Sequence, residues 1–208
     1  MNFDFSEDQR MLADHARKFL SESCDPERLR SHIASGADYD EALWQQMVEL
    51  GWPAISIPEE QGGLGMGALE LCVLAEEVGR VLAPTPFFST VCLGAELLKR
   101  CSNSEAADLL GQIASGEAIV AVELAAKSLQ VDADLLTVSG SLPAVAYARS
   151  ANYLITSALL DDKQSLVLID TTATGYQTLD LPEGVDELAS YQRVSLESVP
   201  AIVLQSEQ

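Results

Sequence analysis

The apolar residues of this chain change their period near residue 117, and that change limits the folds open to it. Before it, apolar side chains recur at three- and four-residue intervals, the spacing that lines one face of a helix. After it come short runs rich in β-formers, separated by turn-like pieces. Helices first and strands second make an α+β protein. An N-terminal all-helical domain is expected over residues 1–116, followed by an antiparallel, β-barrel-like domain over residues 117–208.

Local signals sharpen this outline. Ser6 and Gln9 form a capping box, and Met11, Leu12, Ala16, Phe19 and Leu20 continue it at helical spacing until Pro26 interrupts. A second helix is expected from Asp40 through Leu43, Trp44, Met47, Val48 and Leu50, with Gly51 as its stop. Residues 55–58 read as extended, and the glycines of 62–67 as a loop. Over residues 68–82 the apolar positions are too dense for a narrow stripe, which predicts a helix buried on most sides. Pro84 and Pro86 end it. Further helices are expected over 91–98 and, capped by Ser104, across Ala107, Leu110, Ile113 and Ala114. The β-forming runs are 119–124, 135–138, 153–156, 166–169 and 191–196, with turns at 138–141, 161–163 and 174–175.

With 208 residues, 48% of them hydrophobic, the chain has enough apolar surface to bury a packed core. No run approaches the roughly 20 apolar residues that cross a bilayer, and MNFDFSEDQR is acidic where a secretion signal is basic and then apolar. No membrane is expected as a partner, and the expected compartment is the cytoplasm. Cys24, Cys72, Cys92 and Cys101 lie far apart, with no C-x-x-C pair and only His15 and His32 to join them. Buried thiols are expected, and no metal site.

Acidic residues outnumber basic ones 32 to 12. Nucleic acid is thereby excluded as an expected partner, because phosphate binding needs clustered Lys and Arg. From residue 111 onward only Lys127, Arg149, Lys163 and Arg193 are basic. A polyanionic ligand would be repelled at long range, and would need backbone N–H groups or a neighbouring subunit's arginines.

The segment Gly63-Leu64-Gly65-Met66-Gly67-Ala68 can be aligned with a G-x-G-x-x-A dinucleotide fingerprint. Its context fails, since more helix follows where a Rossmann unit places a second parallel strand. The glycines read instead as a loop that permits positive φ. The doublets Glu59-Glu60, Glu76-Glu77 and Asp161-Asp162 do not converge as paired acid and base, because neighbours point apart on helix and strand alike. Ser56, Ser115 and Ser139 have no G-x-S-x-G setting, and His15 sits in an ordinary amphipathic helix, so a hydrolase triad has no support.

Four stretches, read in order, resemble the N-terminal domain of the acyl-CoA dehydrogenase family: FDFSEDQRMLADHARKFL, YDEALWQQMVELGWPAISIPEEQGGLGMGALELCVLAEEVGR, LAPTPFFSTVCLGAELL and LLGQIASGEAIVAV. The span from Trp44 to Arg80 is the most specific. It joins a helix, a Gly-Trp stop, the P-E-E-Q-G-G-L-G loop and an E-E-x-G-R ending. The resemblance implies a helical N-terminal domain, a middle β domain and a C-terminal helical bundle enclosing FAD and an acyl-CoA thioester. In the family a carboxylate base takes the α-proton while the β-hydride passes to the flavin, which an electron-transfer flavoprotein reoxidises. The thioester carbonyl must be polarised for a carboxylate to remove that proton.

The sequence departs from the family pattern at both flavin segments. Where a motif of the type L-T-E-P-x-x-G-S-D is expected, the chain reads Leu124-Ala125-Ala126-Lys127-Ser128. Where W-I-T follows a glycine turn, it reads Ala144-Val145-Ala146. The resemblance therefore implies cofactor contacts at Leu124, Ala125, Ala144, Val145 and Ala146 through the backbone, with the hydroxyl and indole lost. Gln208 falls near the expected end of the middle domain, so the bundle carrying the base is expected from elsewhere, and no catalytic residue is assigned. The implied function is a degenerate, non-catalytic subunit of a heteromeric FAD-dependent acyl-CoA dehydrogenase acting on a bulky or sterol-type acyl chain. The alternative is a truncated but active FAD-containing dehydrogenase. Expected partners are an acyl-CoA dehydrogenase-type subunit or a second copy, the acyl-CoA substrate at the level of the complex, and an electron-transfer flavoprotein.

Overall fold

The structure is a computed structural model that describes residues 5–125, 129–181 and 186–205. Helix α1 (Glu7–Ser23) starts at the expected capping box, with Gln9 N–H donating to Ser6 Oγ at 3.1 Å and Ser6 N–H to Gln9 Oε1 at 3.0 Å. Pro26 does more than interrupt it. It opens a second helix, α2 (Pro26–Ser35), where its missing N–H costs nothing, and Asp25 caps the free N–H groups of Glu27 and Arg28. Asp40 caps α3 (Glu41–Glu49), and Gly51 follows at φ 75°.

The expected extended piece at 55–58 is instead part of a compact turn that begins at Trp52–Ala54. Ile55 and Ile57 are both buried there, because Ile57 N–H closes onto Ala54 O and turns both side chains inward without strand alternation. Helix α4 (Ala68–Arg80) buries Leu71, Val73, Leu74 and Val78 but leaves Leu69 and Cys72 exposed, so one flank of it faces solvent. A π-helix (Phe88–Ala95) runs into α5 (Glu96–Leu98). In α6 (Ser104–Ala114) the cap is Asn103, and the buried side comprises Ala106, Leu109, Leu110 and Ile113.

The second half holds β1 (Val120–Glu123), β2 (Gln130–Asp132), β3 (Thr137–Ala146), β4 (Tyr153–Leu160), β5 (Lys163–Asp170), β6 (Tyr176–Asp180), β7 (Tyr191–Pro200) and β8 (Ile202–Leu204). They form one sheet in the order β6-β7-β3-β2-β4-β5-β8, with β1 also paired to β4. The α+β class is as expected, but the sheet is mixed and not closed into a barrel. β1 and β2 run parallel to β4, while the remaining pairs are antiparallel. The tight β4–β5 hairpin turns at Asp161 and Asp162, both at positive φ. The expected turn at 138–141 lies inside β3, where Gly140 sits in a bulge at φ 136°.

Period-two alternation divides the sheet between two cores. Ala121, Leu154, Val167 and Ile169 face Leu142, Val145, Val194 and Val199, so the sheet curls over its own apolar face. Val120, Ile155, Leu168 and Leu204 face the other way and pack on Ala95, Leu98, Leu109 and Ile113. A third cluster of Leu20, Leu43, Trp44, Met47, Leu74 and Phe87 lies within the helices. Helices and sheet thus share a buried seam, crossed by Val120 N–H donating to Thr90 Oγ1 at 3.0 Å.

Candidate functional site

Leu124 and Ala125 follow the end of β1 and are exposed. The Glu123 and Leu124 carbonyls accept the hydroxyls of Thr156 (2.7 Å) and Ser157 (2.9 Å), which ties this segment to β4. Ala125 N–H donates to the Glu123 carboxylate at 2.7 Å. Ala126, Lys127 and Ser128 lie outside the described residues. Ala144, Val145 and Ala146 close β3: Ala144 sits in a bulge, Val145 opposes Gln192 within the sheet core, and Ala146 opposes Tyr191. The structure gathers Ala144 and Ala146 into two clefts, whereas Leu124 and Ala125 line neither.

The first cleft, about 300 Å³, lies between the end of α4, the segment leading into the π-helix, and the paired ends of β3 and β7. Val78, Phe87 and Ala146 form its walls, and Leu82, Phe88 and Tyr191 stand exposed at its rim. Phe87 is held in place by an edge-on contact with Trp52, ring centroids 6.3 Å apart. Among the described residues, no Asp, Glu, His, Lys or Arg lines it. Tyr147 is the buried phenol of this wall. Burial first, and then the nearby Tyr191, Asp186 and Asp38, push its pKa up to about 12, so it stays protonated at neutral pH. Thr85 also lines the cleft, and its buried Oγ1 has no hydrogen-bond partner among the described residues.

The second cleft, about 750 Å³, includes Ala144 with His32, Arg149, Asp180, Asp186 and Ser190. Two of its lining side chains, Arg149 and Ser190, are tied to Asp38 behind them. Burial opposes ionisation of Asp38, but hydrogen bonds from Arg149, Ser150 and Ser190 outweigh it and hold the carboxyl below the usual range. Arg149 also pairs with Asp180 at 2.7 Å. Burial pushes the His32 imidazole down, against the pull of Asp40. The cleft therefore presents carboxylates whose one guanidinium is already engaged, a poor surface for phosphate.

The described residues do not fit FAD as a self-contained site. The Ala125 N–H is taken by Glu123, the side chains of residues 144–146 are only methyl and isopropyl groups, and Arg149 is held by two carboxylates. The sequence pattern assigned no site role to Thr85 or Tyr147, and marked Arg149 only as one of four basic residues beyond position 111. Thr85 carried a local signal as well, a polar residue between two prolines where a helix stops.

Comparison with known proteins follows the same lines. The family model for the acyl-CoA dehydrogenase N-terminal domain matches residues 6–117. Acyl-CoA dehydrogenase IpdE2 of Mycobacterium tuberculosis is 34% identical over 119 residues, which cover 57% of this chain and 37% of that protein. Among solved structures, the Mycobacterium tuberculosis ChsE4-ChsE5 complex superposes with a TM-score of 0.86 at 23% identity, covering 98% of this chain and 57% of that one. The Tcur3481-Tcur3483 steroid acyl-CoA dehydrogenase gives 0.82 at 26% identity, covering 96% and 57%. The chain thus spans between about a third and three fifths of the length of these relatives.

Proposed function

The chain belongs to the acyl-CoA dehydrogenase family, and we propose that it serves as a non-catalytic subunit of a heteromeric, FAD-dependent acyl-CoA dehydrogenase. In this reading residues 1–116 and 117–208 are its N-terminal and middle domains. It contributes the apolar wall against which an acyl chain of bulky or sterol type lies. FAD, when bound in the complex, supplies hydride acceptance, and a partner subunit supplies most of the groups that hold it. Of the five backbone positions the resemblance assigns to the cofactor, Ala146 is the one best placed to touch both ring and substrate, because it alone lines the apolar cleft.

One observation carries the proposal: among the described residues, none that lines the apolar cleft has a carboxylate, imidazole or amine. Removing a proton α to a thioester requires a base within hydrogen-bond reach, and Tyr147, held protonated by burial, does not serve. The base therefore comes from outside these residues. The likeness to a steroid acyl-CoA dehydrogenase at 26% identity supports the substrate class. The exposed rim of Leu82, Phe88 and Tyr191 supports an apolar partner surface.

The test is to purify the chain alone and after co-expression with a flavin-bearing acyl-CoA dehydrogenase chain. The expected result is a colourless protein alone, and a yellow complex in which both chains co-elute. A chain that by itself retains FAD and oxidises an acyl-CoA thioester overturns the proposal, and favours the active, FAD-containing dehydrogenase.

A further inference from the structure

Tyr147 follows the end of β3 in the left-handed region, at φ 57°, a conformation that a bulky residue seldom adopts. Its backbone is committed on both sides. The N–H donates to Ser190 O at 2.8 Å, and the carbonyl accepts Ser150 N–H at 3.1 Å and Ala151 N–H at 2.9 Å. These bonds hold the strained residue in place. The side chain is 8% exposed. The Tyr176 phenol donates to Ala148 O at 2.9 Å, whereas the Tyr147 phenol meets no donor or acceptor among the described residues. Among the same residues, the unpaired side-chain atoms that are sealed from solvent are Trp44 Nε1 and Thr85 Oγ1. The Tyr147 hydroxyl is not one of them, so it reaches open space, and the space that Tyr147 lines is the apolar cleft. The other hydroxyls of the lining are placed differently. Thr85 is sealed, Ser89 donates to Pro86 O at 3.2 Å, and Tyr191 stands exposed at the rim, where water solvates it.

A single free donor on an otherwise apolar wall orients whatever fills the cleft. We propose that Tyr147 determines specificity in this cleft, donating its phenolic hydrogen to one keto oxygen on an otherwise hydrocarbon ligand. The inference rests on the reading of the cleft as the acyl wall, and deepens it by naming the substrate class as a keto-bearing hydrocarbon. Burial keeps the phenol protonated at neutral pH, so it is available as a donor. A carbonyl needs nothing more. A ligand hydroxyl brings a hydrogen of its own, and among the described residues no carboxylate or imidazole lines the cleft to accept it. A ligand with no oxygen covers the phenol and leaves it unpaired, which penalises the all-hydrocarbon analogue.

The test uses 1-tetralone and its hydrocarbon counterpart tetralin as matched probes on the full chain. Affinities come from calorimetry, the state of the tetralone carbonyl from its infrared stretch, and occupancy of the cleft from the amide resonances of Ala146 and Tyr191. The ratio of affinities, tetralone over tetralin, is expected to be about tenfold larger in the wild type than in Tyr147→Phe, which removes only the hydroxyl. The bound carbonyl is expected to absorb at lower wavenumber in the wild type than in that variant. Tyr191→Phe is expected to keep both the ratio and the shift, because water already serves the rim phenol. The same ratio in wild type and Tyr147→Phe overturns the inference, as does a preference lost in Tyr191→Phe, or the absence of any resonance shift with either probe. Should Tyr147→Phe fail to fold, the infrared stretch decides. A carbonyl lowered from its hydrocarbon-solvent value in both wild type and Tyr191→Phe upholds the inference, and one that keeps that value overturns it. The co-expression test fails independently. Equal affinities for the two probes beside a yellow, co-eluting complex sink only the role of Tyr147, and a retained preference in a chain that takes no partner sinks only the subunit reading.

Discussion

Asp38, in the loop between α2 and α3, accepts hydrogen bonds from the guanidinium of Arg149, 111 residues further along the chain. The same carboxylate receives Ser150 at 2.5 Å and Ser190 at 2.7 Å, so one loop of the helical half is pinned to two separate loops of the sheet. Asp38→Asn keeps an acceptor but removes the charge that three donors share. It is expected to lower unfolding stability by about 2 kcal/mol, read as a fall in the urea midpoint at unchanged slope.

Glu77 is almost wholly buried on α4, bridging Arg17 of α1 at 2.6 Å and Arg80 at 3.1 Å. The hydrogen bond from Arg17 holds its carboxyl below the usual range, against the opposing effect of burial. Glu77→Ala removes a buried carboxylate shared by two half-exposed guanidinium groups that water can still solvate, and is expected to cost about 1–2 kcal/mol. Its neighbour Glu76 pairs with Arg80 in solvent, and Glu76→Ala is expected to cost less than about 1 kcal/mol. Equal losses in paired urea titrations would contradict the burial argument.

Stability is expected to fall in two stages on acidification. Burial holds the folded-state pKa of His32 below its unfolded value of about 6.5. Below that pH the unfolded chain binds a proton that the folded chain resists, so stability present above about pH 6.5 drains as pH falls toward the folded pKa. Asp38, Asp40, Glu70 and Glu77 all have lowered carboxyl pKa values, and their contribution drains only below about pH 4. His32→Gln is expected to flatten the upper stage between pH 7 and 5 and leave the lower one. Midpoints measured across that range decide the matter.

Gly62 and Gly63 are adjacent but tolerate a side chain differently. A Cβ on Gly63 would stand 1.9 Å from the Ile57 carbonyl oxygen, whereas Gly62, at φ 77°, has open space around it. Gly63→Ala forces the compact turn apart and is expected to cost about 3 kcal/mol, against about 1 kcal/mol for the backbone strain of Gly62→Ala. Thermal unfolding of the two variants separates clash from strain.

Leu82 occupies the left-handed position that ends α4, at φ 54°, where glycine is usual. Its side chain is 62% exposed at the rim of the apolar cleft. Leu82→Gly is expected to raise stability by about 1 kcal/mol while weakening co-elution with a partner subunit. A variant that gains stability and keeps its full partner affinity would show that the rim is not a contact.

Much of this protein was legible in its sequence. The caps at Ser6 and Asp40, the stop at Gly51, the glycine loop and the switch from helix to strand all depend on a few neighbouring residues, and local chemistry determines them. So does the family, through the contiguous stretch around the P-E-E-Q-G-G-L-G loop. Tertiary structure decided the rest. Pro26 opens a helix through an equally local cap from Asp25, whereas Ile55 and Ile57 leave strand geometry because two cores claim them. The short β2 and β8 exist only because longer strands offer them edges. The cleft itself is made by Thr85, Ala146 and Tyr191, residues far apart in the chain, and no local pattern marks them as neighbours. Sequence sets which faces must be buried, whereas which buried hydroxyl stays unpaired depends on where every other donor has gone.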